Sequence, residues 1–170
     1  MYNFYPDSTF KKLYYTETKN CFSEYLIELK KSNQFDFNEV FLDHTFVPGD
    51  NRNKILPNIC KAINNGESSP IENPNNFINL IFINDLIDEL IELMHLSGDK
   101  VFNLYSNKVT RLVSIYNFLF HYKNTANIET DLIETKSCNY NDLNIHKKII
   151  DFDIKNFTNF LIKTLDNSKS

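Results

Sequence analysis

Tyr15 and Lys19 stand four residues apart, as Tyr15-Thr-Glu-Thr-Lys19, early in a chain of 170 residues. On a helix this spacing puts both side chains on one face, one turn from each other. An ammonium beside a phenol favours the ionised form and draws its pKa down from about 10. Such a pair could hold and release a proton near neutral pH. The chain has nine tyrosines, and chance alone supplies about one pair at this helical spacing, so the motif needs support from its surroundings. Other reactive side chains are scattered. His44, His95, His121 and His146 are isolated, and Cys21, Cys60 and Cys138 are far apart and odd in number. No metal-ligand or redox spacing results, and the cysteines read as reduced thiols of a cytoplasmic protein.

The elements that must position these residues follow from periodicity. Ser8 to Asn33 reads as a helix carrying Phe10, Leu13, Tyr14, Phe22, Tyr25, Leu26 and Leu29 at helical spacing, with Asp7 and Ser8 as caps. Phe37 to Val47 reads as one strand ending at Pro48-Gly49. Asn53 is placed to cap a helix from Lys54 to Asn65, stopped by Gly66. After a short extended piece, Ser69 to Ile71, Phe77 to Ile83 reads as a buried strand. Asn84 and Asp85 then cap a helix with Leu86, Ile87, Leu90, Ile91 and Met94 as its apolar face, ended by Gly98. Lys100 to Tyr105 is a strand. A helix starting at Thr110 turns Val113, Tyr116, Leu119 and Phe120 inward. Asn127 to Glu134 is a strand, and Asp153 opens a last helix with Ile154, Phe157, Phe160 and Leu161. Strands alternating with helices predict an α/β fold.

Composition narrows the functional classes. At 170 residues the chain has room for one domain with a real core and not for a second full domain, and 42% apolar and 14% aromatic residues let it bury surface and fold. The formal net charge of -4 gives no nucleic-acid footprint. No apolar run approaches the length that spans a bilayer, and the N-terminus lacks the basic start and apolar core of a signal peptide. The three glycines, Gly49, Gly66 and Gly98, fall at a strand end and two helix ends. None forms the glycine-rich turn that lets a backbone approach a pyrophosphate, so the chain is not expected to bind a dinucleotide by itself.

Three stretches, in this order, resemble the extended short-chain dehydrogenase/reductase family, the NAD-dependent nucleotide-sugar epimerases, dehydratases and reductases. Tyr15-Thr-Glu-Thr-Lys19 matches the family's Tyr-x-x-x-Lys helix. Phe41-Leu-Asp-His-Thr-Phe-Val-Pro-Gly-Asp50, followed by Asn53-Lys54 and Pro57, is similar to its strand ending in Tyr-Gly-Pro-Gly-Asp. Asn79-Leu-Ile-Phe-Ile-Asn-Asp-Leu86 is similar to its Arg-Asp-Phe-Ile-x-Val-Asp-Asp-Val signature, and Val101-Phe-Asn-Leu-Tyr105 to its Val-Phe-Asn-Ile-Gly strand. Among relatives, deoxysugar enzymes like CDP-abequose synthase look most similar.

The resemblance implies the C-terminal portion of a Rossmann-type fold, lacking the N-terminal glycine-rich βαβ units. Residues 1–170 would form one truncated domain: 1–50 a remnant of the Rossmann part, 51–170 mainly the substrate-binding region. It implies Tyr15 as general acid/base with Lys19 beside it. Asn53 and Lys54 would lie near the diphosphate of a nucleotide-sugar, at a helix N-terminus suited to anions. His44 and Asn103 would face the substrate. Each also has an ordinary structural reading: Asn53 as a helix cap, Lys54 as a solvated cation, Asn103 as a polar strand end, His44 as a partly buried structural histidine. NAD or NADP is the implied cofactor. The implied partners are a nucleotide-sugar, a separate chain supplying the dinucleotide-binding half, and further copies of this chain. The departures point the other way. The family's polar groups are replaced by Phe41, by Phe46-Val47 and by Ile78, where an Arg would grip the diphosphate. A non-catalytic binding or interaction module derived from that family is therefore the alternative expectation.

Overall fold

The computed structural model describes residues 14–33, 37–47, 50, 53–96, 98, 100–138 and 146–168. The first helix, α1 (Tyr14–Asn33), is followed by β1 (Glu39–Leu42), β2 (His44–Phe46), α2 (Ile55–Asn65), β3 (Phe77–Phe82) and α3 (Ile83–Met94). Then come β4 (Val101–Ser106), β5 (Lys108–Arg111), α4 (Leu112–Thr125), a 3-10 turn at Thr130–Leu132, β6 (Thr135–Ser137), β7 (His146–Ile150) and α5 (Ile154–Asn167). The expected start of the first helix at Ser8, with its caps, lies outside the described residues.

Two sheets result. One is wholly parallel, in the order β1-β4-β7, and the other is mixed, in the order β2-β3-β5-β6. The single strand expected over Phe37–Val47 is thus two strands, divided at Asp43. Glu39–Leu42 pairs parallel to β4, and His44–Phe46 pairs parallel to β3. The division follows from packing. Val40 and Leu42 pack on the cluster of Ile81, Leu86, Leu93, Phe102, Leu104 and Ile150. Phe46 belongs to the larger cluster built by α2, α4 and α5 around Ile59, Ile115, Phe118, Phe157 and Leu161. One unbroken strand could not serve both.

Several helix boundaries differ from expectation. Lys54, not Asn53, is the N-cap of α2, and no side chain caps that end. Strand β3 runs directly into α3, with Phe82 as N-cap, so Asn84 and Asp85 sit inside the first turn instead of capping it. That helix stops at Met94, with His95 as its C-cap, short of Gly98. The helix expected from Thr110 starts at Leu112, because Lys108–Arg111 is drawn into antiparallel pairing with β3, Thr110 opposite Ile78. Its buried face is Leu112, Ser114, Ile115, Phe118 and Leu119, and Phe120 is exposed. Asn127–Glu134 is not a strand. It holds the 3-10 turn, and the strand comes later, at Thr135–Ser137.

Other expectations hold. Gly66 closes α2 in the left-handed region at φ 69°, which costs glycine nothing, and its N–H caps the last turn. Asp153 caps α5, its carboxylate accepting from the backbone N–H groups of Lys155 and Asn156 at 2.8 and 3.2 Å.

Candidate functional site

The residues singled out by spacing are distributed over four elements. Tyr15 and Lys19 lie one turn apart on α1. Lys19, with Phe22, Ser23 and Leu26, walls a groove of about 540 Å³ whose other wall is the segment from Phe37 to Leu42. Asn103 stands in the middle of β4, between Phe41 on β1 and Lys147 on β7. Its neighbours Phe102 and Leu104 are buried in the cluster that α3 covers. Side chains alternate along a strand, so Asn103 lies on the opposite face and shares that face with Phe41, a wall of the groove.

The second group sits elsewhere. Asn53 is exposed, and its side-chain oxygen accepts from Asn58 Nδ2 at 2.8 Å. Lys54 Nζ is 3.7 Å from the carboxylate of Asp50, which is almost fully buried. Both residues are at the open N-terminus of α2, where backbone N–H groups lack helical partners and negative charge is favoured. His44 opens β2 opposite Leu80. It is exposed, contrary to the expectation of a partly buried structural histidine: it begins a short strand and points away from the core that takes Phe46, two residues on. Ile78, where the resemblance would put an Arg, packs partly buried against the main core.

Sequence reasoning passed over a cluster of carboxylates where strands of both sheets end. Asp85, Asp151 and Asp153 line a crevice with Phe46, Phe82, Ser106 and Asn156. Burial, then the neighbouring Asp88 and Asp153, raises the Asp85 carboxyl above its ordinary range. The crevice holds only about 10 Å³, no more than one water. Its acids have structural work: Asp151 accepts from Asn107 Nδ2 at 2.7 Å, and Asp153 caps α5. Among the described residues, no group of three His, Cys, Asp or Glu side chains could hold a metal ion. The Cys60 thiol is fully buried, which pushes its pKa up to about 12 and leaves it inert. No helix among the described residues is long and apolar enough to cross a membrane.

No protein-family model matches the sequence, and no curated protein does. Solved structures do match. The fold is similar to that of a UDP-N-acetylglucosamine 4-epimerase from Methanobrevibacter ruminantium M1, solved in complex with UDP-N-acetylmuramic acid. The identity is 16%, the TM-score 0.63, and the match covers 95% of this chain and 57% of the other. It is also similar to the Bordetella bronchiseptica enzyme WbmF, solved in complex with NAD+ and UDP, at 17% identity and a TM-score of 0.64, over 96% of this chain and 55% of that one. The chain thus spans little more than half the length of the structures it matches. Likeness at this level of identity shows a shared fold: the architecture is the C-terminal part of a Rossmann-like epimerase fold.

Proposed function

We propose that the chain is the substrate-side portion of an NAD(P)-dependent nucleotide-sugar epimerase, dehydratase or reductase, and that it works only when joined by a dinucleotide-binding half. The observation that carries this reading is the match of nearly the whole chain, 95–96%, to the C-terminal part of two enzymes solved with UDP or a UDP-sugar. The order of the Tyr15-x-x-x-Lys19, Phe41–Asp50 and Asn79–Leu86 stretches supports it.

In this reading Tyr15 Oη takes a proton from a sugar hydroxyl, and Lys19 stabilises the phenolate. Asn53 and Lys54 bind the diphosphate at the α2 N-terminus. Asn103 and His44 position the sugar. Within the class, the motifs lean toward deoxysugar enzymes resembling CDP-abequose synthase. The described residues do not fit NAD or NADP by themselves. Gly66 terminates α2 and Gly98 follows α3, so neither opens a strand-to-helix turn of the kind that seats a pyrophosphate.

Calorimetric titration tests the reading. UDP- and CDP-sugars should bind the chain with measurable heat, NAD+ and NADP+ should not, and Lys54→Ala should weaken nucleotide-sugar binding several-fold. If no nucleotide-sugar binds, whether the chain is alone or mixed with a dinucleotide-binding half, the reading fails and a non-catalytic module derived from the family takes its place.

A further inference from the structure

Asn65 is followed by Gly66, and no other asparagine of this Asn-rich chain precedes a glycine. The pair ends α2 at the surface. Asn65 is the last helical residue and is exposed. Gly66 takes the left-handed conformation, and the place a Cβ would fill on it is open space. Two backbone bonds close the turn in a Schellman arrangement: Glu67 N–H donates to Ala62 O at 2.8 Å, and Gly66 N–H to Ile63 O at 3.2 Å. The second bond, at the long end of the usual range, is the one that holds the Gly66 nitrogen. Asn65 Nδ2 donates to Glu67 Oε1 at 2.9 Å. The side-chain amide is thus drawn forward past the Asn65–Gly66 peptide, whereas helical side chains ordinarily lean back toward the N-terminus.

We propose that Asn65 is a self-modification site, converted to aspartyl and isoaspartyl forms by the nitrogen of Gly66. That nitrogen loses its proton to hydroxide and attacks Asn65 Cγ. The N–Cγ bond forms, the Cγ–Nδ2 bond breaks, and Nδ2 leaves as ammonia. Water then opens the cyclic imide. Cleavage of the new N–Cγ bond leaves Asp; cleavage of the original main-chain bond leaves isoaspartate, joined to Gly66 through its side chain. Water is the only reactant consumed. Every other asparagine is followed by a residue whose Cβ crowds the attacking nitrogen, and inside a helix that nitrogen is also locked in the i→i−4 ladder. Gly66 lacks the Cβ, and its nitrogen is freed when the end of α2 frays.

The reaction acts on a corner where three helices meet. Asn64, one residue earlier, donates to Leu165 O and Ser168 Oγ at the end of α5, at 2.7 Å each. Lys123 of α4 donates to the carbonyls of Ile63 and Asn64. Either product sets a new carboxylate beside Glu67, at the negative end of the α2 dipole. The isoaspartyl form also lengthens the main chain within the turn, so the two closing bonds cannot keep their geometry. The modification thereby loosens the end of α2 that α4 and α5 hold. It is independent of the functional reading above.

Ageing the folded full chain at mildly alkaline pH and physiological temperature provides the test, read by ion exchange, ammonia release and peptide mapping that separates aspartyl from isoaspartyl. A more acidic species should appear, with ammonia released in step and both forms mapped to Asn65. Its formation should speed up as pH rises. In the isoaspartyl form the Gly66 and Glu67 amides should exchange about tenfold or more faster than before ageing. Asn65→Gln keeps an amide at the helix end but needs a larger ring, so it should abolish the acidic species. Four results would overturn the site: no acidic species in the folded wild type, equal amounts in Asn65→Gln, conversion at other asparagines ahead of Asn65, or conversion of Asn65 only after denaturation, which would show that the closed turn seals it.

Discussion

Asn79 and Ser106 exchange two hydrogen bonds across the junction of the two sheets. Asn79 Nδ2 donates to the Ser106 carbonyl at 2.8 Å, and the Ser106 N–H donates to Asn79 Oδ1 at 2.8 Å. Both residues are buried, at 3% and 1% exposure. Asn79 belongs to β3 of the mixed sheet and Ser106 ends β4 of the parallel one, so a side-chain amide performs the pairing that a backbone ladder would otherwise supply. A further bond from Nδ2 to Lys108 O, at 3.2 Å, ties in the start of β5.

Replacing that amide should be costly. Asn79→Ala leaves the Ser106 N–H and carbonyl buried without partners, an expected loss of about 3 kcal/mol in denaturant unfolding. Asn79→Asp keeps an acceptor for the Ser106 N–H but sets a carboxylate against two carbonyl oxygens. Its folded pKa would be raised, so its destabilisation should grow as pH rises from the unfolded value of about 3.9 toward the folded one, level off above that, and relax in acid. Equal stability of wild type and Asn79→Ala would remove the junction from the account of the fold.

Lys148 on β7 reaches two carboxylates of α3, Glu89 at 2.8 Å and Glu92 at 2.7 Å. Hydrogen bonds to Glu89 and Glu92 raise its pKa from 10.5 to about 12, while the same ammonium lowers that of Glu92. A cation whose folded pKa is raised stabilises fully below the unfolded value and loses that contribution as pH climbs through the folded one. Wild type should therefore lose stability between pH 10.5 and about 12 in a step that Lys148→Met lacks. Solvent screens these groups, so at neutral pH the substitution should cost only about 1 kcal/mol, and less in high salt.

The two apolar stripes of α3 should respond oppositely to substitution. Leu93 is 2% exposed and Ile91 is 50% exposed. Leu93→Ala should destabilise by roughly 2–5 kcal/mol. Ile91→Lys should change stability by no more than about 0.5 kcal/mol and should reduce any self-association seen in sedimentation. A large loss of stability in Ile91→Lys would mean that this stripe is core.

Tyr15→Phe and Lys19→Met test the proton-transfer role in a preparation joined to a dinucleotide-binding half. Turnover of a nucleotide-sugar should fall by about 10²-fold or more for Tyr15→Phe, with substrate affinity held within a few-fold. For Lys19→Met, the pH at which the base ionises should move upward, because the ammonium that favours the phenolate is gone. An unchanged pH profile would take Lys19 out of that role.

The sequence by itself determined the α/β class, most helices, the Gly66 and Asp153 caps, and, through the resemblance, the C-terminal part of a Rossmann-type fold. These depend on local periodicity and turn chemistry, which act within a few residues. Tertiary structure decided what depends on contact with distant segments. Phe37–Val47 became two strands because two cores compete for its alternate residues, and Lys108–Arg111 became a strand because β3 offered it an antiparallel partner. The Lys-rich β7 shows no apolar pattern, since it lies at an edge where lysines can stay in water. On α3, Leu86, Leu90 and Leu93 meet the sheet, while Ile87, Ile91 and Met94, equally apolar, are left outside. Periodicity gives the width of an apolar stripe but not which part of it a neighbour covers. The same limit holds for the site: spacing set Lys19 one turn from Tyr15, but only the folded chain set Lys19 at a groove along β1, Asn103 on the sheet face that carries Phe41, and Asn53 and Lys54 at the N-terminus of α2.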